Sequence, residues 1–193
     1  LFLNFCLDIF ESSKSLKTLE NSGLFVGNRY KKWIDLLNKR GNGLLTISEI
    51  KGLVGEIYFL KNYLSKECGL TNAIESWLGP FRADQDFVIN DTWYEVKNTT
   101  LDSYIVKISS VSQLDSIYNG HLIIIRMEKT SKTDEAKITL NSIVNEILTD
   151  CLEEDQLRFM DILSNHGYTI RDEYEEYCFK FHKLESFEVA KTF

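Results

Sequence analysis

The sequence predicts an α/β fold: a mixed central sheet with a core order of α-β-β-β-α-β, N-terminal helices before it, and C-terminal helices plus a hairpin after it. Three observations carry this expectation. Apolar residues recur at three- and four-residue spacing in the first third of the chain. From Asp84 the period drops to two. His121-Leu122-Ile123-Ile124-Ile125 is an unbroken apolar run, as expected of a strand covered on both faces.

Taken in order, Leu1–Phe10 reads as a short helix and Gly27–Lys39 as a second, through Tyr30, Trp33, Ile34 and Leu37, with Arg40-Gly41-Asn42-Gly43 ending it. The next helix opens at Thr46, whose hydroxyl can cap the backbone while Glu49 reaches back, a T-x-x-E capping box. It is expected to run to about Ser65 along a stripe of Ile47, Ile50, Leu53, Val54, Ile57, Leu60 and Leu64. A helical turn over Ala73–Leu78 meets the breaker pair Gly79-Pro80. Asp86–Ile89 and Thr92–Lys97 read as a hairpin about Asn90-Asp91, and Tyr104–Ile108 as a third strand. Ser109 or Ser110 caps a short helix through Val111–Leu114, and His121–Ile125 completes the core. Leu140–Leu148 and Asp155–Leu163 read as helices, and Tyr177–Lys183 with Phe187–Val189 as a closing hairpin. With no repeat or low-complexity linker, residues 1–45 are expected to be a helical segment packed on a 46–193 domain, in one compact body.

Composition bounds the function. The chain has 193 residues, 44% hydrophobic and 26% charged, with one proline. It is too apolar for disorder and large enough to bury roughly 70% of its unfolded surface without metal or disulfide staples. The formal charge is −7, but residues 1–127 carry 14 basic and 14 acidic side chains, and residues 128–193 carry 8 and 15. This excludes a broadly basic nucleic-acid binder and places all the excess acidity in the C-terminal third. Cys6, Cys68, Cys151 and Cys178 have no metal-ligand spacing and read as reduced, mostly core thiols of a cytoplasmic protein. No run of 18 apolar residues occurs, and Leu1–Ile9 contains Asp8, so neither a membrane span nor a complete signal peptide is expected. A chain opening on Leu1 instead of Met reads as a fragment or a trimmed chain.

Three acidic-x-Lys triplets occur, at Glu49, Glu95 and Glu135, about as many as this composition produces by chance. Only Glu95 and Lys97 fall in a strand-like run, where a period of two points both to one face. Asp86 lies across the expected hairpin, so strand pairing can bring its carboxylate beside Glu95. Asp86, Glu95 and the backbone carbonyl of Val96 are oxygen donors of the kind Mg²⁺ takes, with waters and substrate phosphate completing its octahedron. Lys97 beside the metal can position or deprotonate a water and offset charge in the transition state. Otherwise these residues are solvated charges on a surface hairpin. Glu56 interrupts the buried stripe of its helix, where an unpaired carboxylate costs several kcal/mol. It belongs either to a buried ion pair, for example with an Arg, or to the same metal centre as a further ligand, with Gly52 and Gly55 letting the helix approach the sheet.

Gly52-Leu53-Val54-Gly55-Glu56, Trp77-Leu78-Gly79-Pro80, Gln85-Asp86-Phe87, Tyr94-Glu95-Val96-Lys97 and Ile108-Ser109-Ser110 with Gln113-Leu114 together resemble the PD-(D/E)XK nuclease family, a restriction-endonuclease-like group of bacterial proteins. The resemblance is close over about residues 47–126 and looser to His166-Gly167-Tyr168 and the terminal hairpin. It implies a restriction-endonuclease-like core, Mg²⁺ with Mn²⁺ as substitute, and DNA as substrate. Other subunits of a restriction or phage-defence system, or a second copy in a homodimer, are the implied partners. By position it makes Asp86 and Glu95 metal ligands, Lys97 the catalytic lysine and Glu56 the helix carboxylate. Gln85 stands where the motif has proline. Ser110 and Gln113 can contact a scissile phosphate, or cap and support the turn.

His121, His166 and His182 have no mutual metal spacing and are not expected to be catalytic. Trp33, Trp77 and Trp93 are expected in the core, and Glu153–Asp155 and Asp172–Glu176 on solvated surface. The expected function is therefore a Mg²⁺-dependent DNA nuclease. The alternatives are a noncatalytic recognition or assembly subunit of the same fold, and an acidic partner-binding protein.

Overall fold

A computed structural model describes residues 2–14, 19–40, 44–78, 84–114, 116 and 118–189. The elements are α1 (Phe2–Ser13), α2 (Leu19–Arg40), α3 (Ile47–Phe59), a π-helical turn (Leu60–Leu64), α4 (Ser65–Cys68), α5 (Leu70–Glu75), β1 (Phe87–Ile89), β2 (Thr92–Thr99), β3 (Asn119–Lys129), α6 (Leu140–Asp150), α7 (Glu153–Asn165) and β4 (Phe179–Val189). Short 3₁₀ turns cover Val111–Gln113 and Asp172–Glu176. The breakers expected at Gly41–Gly43 and Gly79-Pro80 lie outside the described residues. No helix among the described residues is long and apolar enough to cross a membrane.

The N-terminal helices meet the rest of the chain through one buried carboxylate. Asp8 on α1 accepts both Arg29 Nε and Nη2 from α2, at 2.9 and 2.8 Å, the Trp33 indole N–H at 2.8 Å, and the backbone amide of Ile170. Arg29 also donates to Ser164 on α7, and Arg171 lies 4.2 Å over the Trp33 ring. Both Asp8 oxygens and all three Arg29 nitrogens are thus engaged, the condition under which a buried ion pair is tolerated.

The capping box forms as expected, with Glu49 N–H donating to Thr46 Oγ1 and Thr46 N–H to Glu49 Oε2. The helix does not continue as a plain α-helix to Ser65. It passes through the π turn, whose extra residue lets adjacent Phe59 and Leu60, and then Leu64, all be buried. Ile47, at the start of the stripe, is exposed. α3 packs on β2 through Gly55: a Cβ there would stand 2.0 Å from Asn98 Oδ1. Asn98 in turn donates to the carbonyls of Lys51 and Gly52, at 2.9 and 3.2 Å. Gly52 has no such neighbour, so the close approach belongs to Gly55 alone.

Asn90 and Asp91 have φ of 48° and 59°, the left-handed pair of a two-residue hairpin turn. The sheet runs β1-β2-β3-β4, with β2 and β3 parallel and the outer pairs antiparallel. Two expected features are absent. Residues 103–108 form no strand, and Tyr104 and Ile105 are 99% and 82% exposed. The segment pairs with no strand of the sheet, whose order is β1-β2-β3-β4. That segment is tied down instead by Arg126, whose guanidinium donates to the carbonyls of Thr100, Leu101 and Ser103. The closing hairpin is likewise replaced by a single strand, β4. β3 offers eleven residues to pair with, and an irregularity at Arg126/Met127 absorbs the register change. The core order therefore has one strand fewer than α-β-β-β-α-β, and β4 fills the fourth place in the sheet.

All three tryptophans are buried. Trp93 lies over Gly120, its cross-strand partner, where a Cβ would stand 1.9 Å from the ring. The four cysteines are free, but only Cys178 is buried; Cys6 is exposed, and Cys68 and Cys151 are half-buried, so the expectation of mostly core thiols does not hold. Asp155 is also buried, accepting the Thr71 hydroxyl, and is not part of a solvated face.

Candidate active site

Along β2 the residues alternate. Val96 belongs to the apolar core and Asn98 meets α3, so the period of two places Glu95 and Lys97 together on the opposite face. Phe87 pairs with Tyr94, so Asp86, one step before β1, stands opposite Glu95. β1 has ended at this point. The edge of β2 is left without a strand, and Asp86 fills the gap with its side chain: Oδ2 accepts the Val96 amide at 2.8 Å. In an extended strand the carbonyl of a residue leaves on the same edge as its N–H. Asp86, Glu95 and the Val96 carbonyl, the three expected donors, thus come to one place on the sheet.

Glu95 is fully buried, and Lys97 Nζ stands 2.5 Å from its Oε1 as an ion-pair partner and donor. Burial, and then the charge of Asp86, push the Glu95 carboxyl up to about 7 against the opposing pull of Lys97. Asp86 is also raised by burial, opposed by the Val96 N–H and by Lys97.

Glu56 projects from α3 toward this cluster. Burial raises its carboxyl well above the usual range, as do the charges of Asp86 and Glu95, while the Trp77 hydrogen bond and Lys97 oppose the rise. Its hydrogen-bond partner is not an arginine: the Trp77 indole N–H donates to Oε2 at 2.8 Å. His166 Nε2 lies 3.7 Å from the same oxygen. Burial lowers the His166 pKa to about 4, so the imidazole is neutral near pH 7 and the contact is not an ion pair.

Ser110 and Gln113 lie on the 3₁₀ turn after the exposed segment, and that turn is held beside the site by Gln85, whose amide donates to Ser112 O at 2.9 Å. Their polar groups are engaged locally: Ser110 Oγ accepts the Ser112 amide, and Gln113 Oε1 accepts the Ser109 amide. This is the capping role. Trp77 and His166 were not identified from sequence as partners of the site. The signal for them was the need of a buried Glu56 for a donor, which names no residue.

Three carboxylates and one ammonium share a buried region, so the carboxylate charge is only partly balanced, which is the arrangement a hard cation would complete. Among the described residues no group of three or more His, Cys, Asp or Glu is spaced to enclose a metal by itself. The candidate set is therefore two carboxylates and a backbone carbonyl, oxygen donors of the kind Mg²⁺ accepts.

A family model described as "Putative PD-(D/E)XK family member, (DUF4420)" matches residues 1–193, the whole chain. The chain belongs to this family. No curated protein and no solved structure matches it.

Proposed function

We propose that this protein is a divalent-metal-dependent nuclease that hydrolyses DNA phosphodiester bonds, acting in the cytoplasm within a bacterial restriction or phage-defence system. The observation that carries the reading is the meeting of Asp86 with Glu95 and Lys97 at the bare edge of β2, where one ammonium faces two buried carboxylates. Asp86, Glu95 and the Val96 carbonyl are the residues to hold Mg²⁺, or Mn²⁺ in its place. When bound, that ion supplies Lewis-acid polarisation of the phosphoryl oxygens and lowers the pKa of a coordinated water.

The remaining roles belong to the chain. Lys97 bridges the metal-ligand carboxylate and the substrate, orienting the attacking water and offsetting charge that builds on the phosphate oxygens. Asp86 holds the β2 edge in place through Val96 while presenting its other oxygen to the site. Glu56 faces the cluster from α3 as a further carboxylate, and can take or return a proton because its pKa is raised. The turn carrying Ser110 and Gln113 contacts the scissile strand.

The test is incubation of the purified protein with supercoiled, linear and single-stranded DNA in Mg²⁺ or Mn²⁺. Cleavage is expected, lost on chelation and in Lys97→Ala. Intact DNA under all these conditions, or equal cleavage by Lys97→Ala, overturns the reading.

A further inference from the structure

We infer that His166 is a positioning residue for Glu56: stacked on Trp77, it closes with that indole on one carboxylate oxygen, Oε2, and leaves the other, Oε1, to the cluster of Asp86, Glu95 and Lys97. The functional consequence rests on the nuclease reading; the clamp itself rests on geometry.

The His166 ring lies on the Trp77 ring with centroids 5.0 Å apart and planes 27° from parallel. Both rings present a nitrogen to Glu56 Oε2, Trp77 Nε1 at 2.8 Å and His166 Nε2 at 3.7 Å. His166 Nε2 is buried and has no hydrogen-bond partner. A buried imidazole nitrogen without a partner is costly. The nearest polar atom that can satisfy it is the Glu56 carboxyl, after a contraction of roughly 0.8 Å to ordinary hydrogen-bond length. A neutral imidazole can make that bond in either direction: it donates to an ionised Glu56, or accepts from a protonated one. A cavity of about 200 Å³, lined by Leu45, Glu49, Gly52, Leu53, Glu56 and His166, opens on the pair.

The backbone around His166 is built to hold the ring there. His166 is the C-cap of α7, and Gly167 follows with φ of 87°, a left-handed conformation that favours glycine. The Gly167 amide donates to Ser164 O and the Tyr168 amide to Leu163 O, the paired bonds of a Schellman motif. Tyr168 is buried and its hydroxyl donates to Asn141 Oδ1 at 2.9 Å, anchoring the far side. The tripeptide His166-Gly167-Tyr168 is thus a fixed bracket: glycine turns the chain, tyrosine pins it and histidine faces the carboxylate.

Two substitutions test this. His166→Phe keeps a ring on Trp77 and removes the nitrogen; His166→Gln restores a polar end. Two readouts are taken: Mn²⁺ affinity by calorimetry, and the Trp77 indole ¹⁵N–¹H resonance, assigned with Trp77→Phe. In His166→Phe, Mn²⁺ binding is expected to weaken about tenfold, the usual cost of losing a residue that orients a metal site. The indole resonance is expected to move as its bond to Oε2 loosens, and His166→Gln is expected to recover part of both. Unchanged affinity and an unmoved resonance in His166→Phe overturn the inference. If the parent protein binds no Mn²⁺, the metal-dependent reading falls, and the resonance alone decides the clamp. Thermal unfolding checks that each variant folds, and His166→Gln carries the test if His166→Phe does not.

Discussion

Asp86 Oδ2 accepts the Val96 amide at the point where β1 has ended and that edge of β2 has no strand neighbour, so one side chain both completes the sheet edge and faces Glu95. The two tasks separate in Asp86→Asn. An amide oxygen still accepts the Val96 N–H, so the fold is expected to remain, and losing a charge that repels Glu95 and Glu56 is expected to raise metal-free stability by about 1 kcal/mol. Divalent-ion affinity is expected to drop by more than about tenfold. Urea unfolding and calorimetric titration of the same preparation measure both. A destabilised variant with unchanged ion affinity contradicts the assignment.

How much of this was legible in sequence depended on the range of the interaction involved. The capping box at Thr46, the hairpin turn at Asn90-Asp91 and the pairing of Asp86 opposite Glu95 are local, set within about ten residues, and all were read correctly. The third strand does not form: Tyr104–Ile108 has the alternation of a strand, but pairing is decided by the packed fold, where β2 takes the distant β3 as its parallel neighbour. The turn expected between Lys183 and Phe187 does not form, and the segment stays extended along β3. At the site, the carboxylates and the lysine were visible as residue types. The donors to Glu56 come from Trp77 and His166, and only the packed fold brings them there.

The contact between α3 and β2 is expected to be intolerant of one methyl group. Gly55→Ala puts a Cβ 2.0 Å from Asn98 Oδ1, and the Asn98 amide that would have to move is bonded to the helix backbone. A loss of about 1–3 kcal/mol is expected by urea unfolding. Asn98→Ala opens the space, so the double variant is expected to be more stable than the sum of the single losses predicts. Additive losses contradict a direct clash.

Asp8→Ala tests how the N-terminal helices are held. It leaves Arg29 buried without its charge partner and strips the acceptor from Trp33 and the Ile170 amide. The expected cost is about 3–5 kcal/mol. The double variant Asp8→Ala with Arg29→Met removes the orphaned charge and is expected to recover a substantial part. Hydrogen exchange is expected to show the largest loss of protection in α1 and α2. Loss spread evenly through the sheet contradicts a local anchor.

The metal-free protein is expected to be most stable on the acid side of neutrality. Glu95 is raised from 4.5 to about 7 by burial and by Asp86, so the folded state holds a proton that the unfolded state has lost over that interval. Its contribution is full below about 4.5 and disappears as pH rises through about 7, a change on the order of 2–3 kcal/mol. The raised carboxyl of Glu56 acts in the same sense. His166 has the opposite sign: its pKa is lowered from 6.5 to about 4, so the unfolded state takes the proton first and stability falls as pH drops below about 6.5. Between about 4.5 and 6.5 the His166 gain opposes the losses from Glu95 and Glu56, so unfolding free energy measured in chelator from pH 4 to 9 is expected to be highest below about 5 and to decline most steeply as pH approaches 7. Glu95→Gln is expected to make the decline shallower and His166→Phe to make it steeper between about 4.5 and 6.5. Saturating Mn²⁺ is expected to reverse the alkaline decline, because it binds the ionised carboxylates that are destabilising without it. An alkaline limb that survives Glu95→Gln at full slope assigns the decline to another group and removes Glu95 from the raised cluster.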